Sequence, residues 1–164
     1  MIYDVAIPPT IRMLGALSNI LGKAEAHCAA QKIDPQVLLA YRLYPDMLNF
    51  TRQVQLACDF SARLASRLAG DDVPSFPDVE TSFAELQARI AAVQAHLGSF
   101  DPDRFADAAT RTITLKLRSG EMVLPGLQFL TLYALPQVYF HATTAYNILR
   151  HNGVVLGKAD FMAA

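Results

Sequence analysis

The sequence is short of charge, of cysteine and of long apolar runs, and each shortage excludes a class of protein. Charged residues are 18% of the chain, below the quarter or so usual in soluble domains. Lys and Arg number 14 against 15 Asp and Glu, for a net charge of -1. Duplex binding needs a basic face that displaces counterions; none is visible, so no nucleic-acid partner is expected. Two cysteines, Cys28 and Cys58, are too few for a disulfide framework. They read as reduced, inert core residues of a cytoplasmic protein. The richest apolar stretch, Leu124 to Phe140, is interrupted by Pro125, Gln128, Pro136 and Gln137, and nothing reaches the roughly 18 apolar residues of a membrane span. The start, MIYDVAIPPTIRML, lacks the basic and apolar regions of an export signal. Also missing are a Gly-rich phosphate loop, a Gly-x-Ser-x-Gly elbow and a paired-cysteine motif.

What the chain does have is apolar surface. Hydrophobic residues are 52% of its 164, enough to offset the ordering entropy and exclude disorder. With no repeat or linker, residues 1–164 read as one domain.

Helical periodicity dominates. Ile7, Ile11, Leu14, Leu21 and Cys28 predict a helix over about 6–31, with Pro8 and Pro9 in its first turn. Asp34-Pro35 caps a short helical piece through Leu39. Tyr44-Pro45 restarts the chain, and Met47, Phe50, Val54, Ala57, Leu64 and Leu68 predict a second long helix over about 46–69, stopped by Gly70. After a loop, Ser82 and Glu85 form a capping box for a third helix carrying Phe83, Leu86, Ile90, Val93 and Leu97. Ile113, Leu115 and Leu117 alternate with polar residues before Ser119-Gly120, the period-two pattern of a small hairpin. A fourth helix spans about 126–152, with Leu127, Leu130, Ala134, Val138, Ala145 and Ile148 inward and Pro136 kinking it. These elements predict an all-α four-helix bundle with a β-hairpin before the last helix.

His141 is the most informative residue, because it falls on or beside the inward stripe of the last helix. There an imidazole can act as a metal ligand, a proton shuttle or a hydrogen-bonded core group. Asp46 either favours its helix N-terminus or points into the bundle mouth and pairs with His141. Such a pair would raise the histidine pKa and provide a catalytic acid/base couple. Metal ligands on one helix face need a spacing of three or four, but from His141 those positions hold Gln137, Val138, Thr144 and Ala145. The other histidines, His27, His96 and His151, read as surface residues. Tyr133, Tyr139, Phe140 and Tyr146 either line a ligand cavity or belong to core and interface.

The segments LYPDM with TRQVQLACDF, PSFPDVETSFAELQARI and FHATTAYNILRHNGVVLGKADF resemble an uncharacterised bacterial branch of the DinB/YfiT-like superfamily, over essentially the whole chain. The resemblance implies an up-down-down-up bundle, usually a homodimer. Better-known relatives hold a divalent metal through one histidine on the second helix and two, four apart, on the last. Some transfer or isomerise adducts of small-molecule thiols. Here His141 matches one last-helix position, but Ala145 stands at the next, and the second-helix position falls near Asp46 or Asn49.

Two functions follow as expectations. The favoured one is a non-catalytic or vestigial bundle, without an intact three-histidine centre or resident cofactor, that keeps a polar pocket near Asp46 and His141 for a small molecule. The alternative is a thiol-dependent transferase or metal-assisted hydrolase using that pocket, with a divalent metal. In both, Tyr44, Asn49, Tyr146 and Arg150 are supporting pocket residues.

Overall fold

The computed structural model describes residues 1–162. Helices α1 (Ile2–Gln31), α2 (Pro35–Ala40), α3 (Phe50–Ala69) and α4 (Phe83–Gly98) come first. Strands β1 (Thr112–Leu117) and β2 (Gly120–Pro125) follow. The last long helix is built from α5 (Gly126–Gln128), a π-helical turn (Phe129–Ala134) and α6 (Leu135–His151), and α7 (Lys158–Met162) follows it. The long helices α1, α3, α4 and α6 form the expected bundle, with α3 packed on α6 and α4, and α1 on α4. The two strands pair antiparallel from Thr112 with Pro125 to Leu117 with Gly120. Ile113 and Leu115 turn into the core, which anchors a hairpin too small to stand alone. No helix among the described residues is long and apolar enough to cross a membrane.

Four expectations need correction. Helix α1 begins at Ile2, so Pro8 and Pro9 lie inside it. The carbonyls they leave unmated, four residues back, belong to the exposed Asp4 and Val5, which water can reach. Helix α3 begins at Phe50 rather than 46, because Tyr44 to Met47 form a turn closed by Met47 N–H donating to the Tyr44 carbonyl. Asn49 then caps the helix, its side chain accepting from Arg52 N–H at 3.0 Å. In the last helix the distortion precedes Pro136 as a widened turn, since the proline ring cannot approach the carbonyl four residues back and offers no N–H. Leu127, expected inside, is 49% exposed.

Two glycines are required by geometry. Gly70 ends α3 at φ 79°, a left-handed conformation that costs a side-chain-bearing residue energy. At Gly126 a Cβ would stand 1.8 Å from the Ala108 carbonyl oxygen, so only glycine lets the last helix begin against that loop.

Candidate functional site

On α3, Phe50, Gln53, Ala57, Phe60 and Leu64 recur three and four apart and share one face. On the last helix, Leu130, Ala134, Val138, His141, Ala145 and Ile148 do the same. Helices α3 and α6 pack together, and each stripe contributes one polar residue to their contact. His141 Nδ1 lies 2.8 Å from Gln53 Oε1. Gln53 Nε2 donates to the Leu48 carbonyl at 3.1 Å, which orients the amide so that its oxygen faces the imidazole. His141 Nδ1 therefore carries the proton and donates it.

The imidazole is 6% exposed. Phe60 stacks on it at 5.6 Å and 8°, and Phe140 meets its edge at 5.2 Å. Burial, helped by the nearby charge of Arg52, pushes the His141 pKa down to about 4. At neutral pH the ring is uncharged. Its Nε2 has no hydrogen-bond partner among the described residues yet is not a fully buried atom, so its lone pair stays within reach of solvent.

The structure corrects the expected pairing of Asp46 with His141. Asp46 is exposed in the turn before α3, and no hydrogen bond or ion pair among the described residues joins the two. That loop reaches the histidine through the Leu48 carbonyl and Gln53 instead. Its opening turn puts Pro45 second and Asp46 third, which leaves the carboxylate in water. The supporting residues disperse as well. Tyr44 is 65% exposed, Asn49 is the helix cap, Tyr146 packs edge-on against Phe161 at 5.9 Å, and Arg150 is exposed in the last turn of α6. Among the described residues, none of Asp46, Tyr44, Asn49, Tyr146 and Arg150 makes a hydrogen bond, ion pair or ring contact with His141.

Gln53 is what the sequence reading missed. The signal was present: in the 50, 53, 57, 60, 64 stripe it is the single polar residue, and a buried amide demands a partner. A second omission is Arg89, whose side chain is 2% exposed. It bonds Asp59 at 2.5 Å, Glu80 at 2.8 Å and Asp78 at 3.1 Å, besides the carbonyls of Phe76 and Pro77. His96, expected on the surface, is half-buried with Nε2 3.0 Å from Ser66 Oγ.

The residues around His141 do not fit the three-histidine metal set of better-known relatives. Gln53 faces His141 from the second long helix and occupies its Nδ1, and Ala145 lies four residues further along α6. Among the described residues, no three His, Cys, Asp or Glu side chains come together to hold an ion.

A family model described as "Domain of unknown function (DUF1993)" matches residues 2–162. The chain belongs to this family. A crystal structure of a DinB family member protein from Shewanella denitrificans is similar to it at 44% identity, with a TM-score of 0.94. The match covers 100% of this chain and 93% of that one. The fold of this DUF1993 chain is thus DinB-like throughout its described length. No curated protein matches it.

Proposed function

We propose that the chain is a non-catalytic, vestigial DinB-like bundle that keeps a polar pocket at His141 and serves as a small-molecule-binding module. One observation carries this reading: His141 donates Nδ1–H to the uncharged Gln53 amide at 2.8 Å instead of facing a carboxylate or a second histidine. A glutamine neither exchanges protons nor holds an imidazolium, so no acid/base couple forms. A thiol-dependent transferase or metal-assisted hydrolase would need that couple or a metal set of three protein donors.

Leu132, Tyr139 and Phe140 present apolar surface outward along the same helix, which supports the homodimer. The buried free thiols of Cys28 and Cys58 suit a reducing cytoplasm, where burial pushes Cys58 up to about 12 and keeps it inert.

The test is elemental analysis of protein purified without chelators or a metal-affinity column, paired with the His141→Ala variant. We expect less than a tenth of an equivalent of any transition metal in either protein. A stoichiometric metal in the parent that disappears in the variant would overturn the reading.

A further inference from the structure

Between α3, β1 and the π-helical turn lies a cavity of about 380 Å³ whose walls include Phe60, Arg63, Arg67, Leu115, Lys116 and Tyr133. Three of these are cationic, and no carboxylate lines the cavity among the described residues. Arg63 leans over Phe60 at 5.3 Å and touches Asp59 at 3.4 Å. Arg67 and Lys116 have no carboxylate partner among the described residues.

Arg67 sits one helical turn after Arg63, so the like charges repel. Burial and that neighbour both hold its pKa below the ordinary guanidinium value. The C-terminal end of α3 favours a cation at Arg67, but it does not account for Lys116 arriving from the hairpin to the same space. Apolar side chains and two cations without a carboxylate partner line the same cavity, which makes a receptor for a molecule that combines an anionic head with an apolar body. The volume falls at the small end of ligand sites, and a guanidinium fork matches an oxyanion head in shape as well as charge.

We propose that this cavity binds a small organic oxyanion, a carboxylate or phosphate monoester on an apolar body, with Arg67 and Lys116 on the head and Phe60 and Tyr133 flanking the body. The proposal rests on the reading of the chain as a binding module and names its ligand class. Phe60 is also stacked on His141, so occupancy of the cavity should also register at the imidazole.

The ¹⁵N-labelled full chain is titrated at low salt with phenyl phosphate and with benzoate, and with phenol and benzylamine as neutral and cationic controls. Saturable shifts are expected at the Lys116 amide and the Arg67 Nε–H with at least one anion, and none with either control. Affinity is expected to fall at least tenfold in Arg67→Gln and in Lys116→Gln. Lys116 is exposed, so its variant keeps the test decisive if Arg67→Gln fails to fold. Response to one anion alone assigns that head group. Absence of saturable binding by either anion, or equal affinity in the parent and Lys116→Gln, overturns the proposal and leaves the non-catalytic reading standing. Release of inorganic phosphate from bound phenyl phosphate, followed by ³¹P NMR, would sink the non-catalytic reading while keeping the site.

Discussion

Two buried polar centres share the interior of this bundle, and they are handled in opposite ways. At the contact of α3 with α6, one neutral imidazole meets one neutral amide. At the contact of α3 with α4, Arg89 keeps its charge among Asp59, Asp78 and Glu80. Burial alone would lower the Arg89 pKa, yet hydrogen bonds to Glu80 and Asp59 raise it. Glu80 shows the complement: burial works to raise it, but bonds from Arg89 and Gln55 hold it below the ordinary carboxylate value. A buried charge persists where several opposite charges surround it, and a buried titratable group without them goes neutral. The first arrangement locks the 71–82 loop onto two helices. The second leaves an uncharged histidine at the contact of α3 with α6.

Breaking the charged centre should have the largest effect. Arg89→Met strands two carboxylates that are nearly buried, and should cost about 3–5 kcal/mol in urea unfolding. Adding Glu80→Gln to that variant should recover part of the loss, because one uncompensated charge is gone. A cost below about 1 kcal/mol for Arg89→Met would show that the network is not what holds the loop.

Acid should separate the centres next. The His141 pKa is lowered to about 4 from an ordinary 6.5, so the unfolded chain binds its proton first as pH falls. Stability should therefore be level above pH 6.5 and decline between pH 6.5 and 4, by up to about 3 kcal/mol. The carboxylate of Glu80, held low, contributes stability that is lost only further into acid. His141→Leu should flatten the upper part of this slope. An unchanged slope would mean that the imidazole is not desolvated.

The neutral centre should yield less to mutation. Gln53→Leu leaves His141 Nδ1–H and the Leu48 carbonyl unpaired, and should cost about 1–3 kcal/mol by denaturant titration. Smallest of all, Asp46→Asn should leave both the unfolding midpoint and the His141 titration unmoved. A shift in that titration would restore the carboxylate to the site.

Much of the bundle was legible because helices in water must bury one stripe. The 83, 86, 90, 93, 97 spacing located α4 without ambiguity, and period-two alternation located the hairpin. Tyr44-Pro45 was harder, because proline second in a turn and proline first in a helix look alike locally; Asn49 as the cap distinguishes them. Pro136 marked where the last helix distorts, but not that a π-helical turn would absorb the strain. His141 could be placed on the inward stripe. Its partner was sought among charged residues, and an amide on the facing stripe went unread. Arg89 went unread because arginine is usually solvated, and its partners come from another helix and a distant loop.

The central claim is that His141 is a neutral, Nδ1-protonated core group bound to Gln53. The most direct measurement is a long-range ¹H–¹⁵N NMR titration of the ring between pH 8 and 4. The account predicts the Nδ1–H tautomer throughout the neutral range, with protonation setting in only near pH 4. A midpoint near 6.5, or a proton on Nε2 at neutral pH, would contradict it.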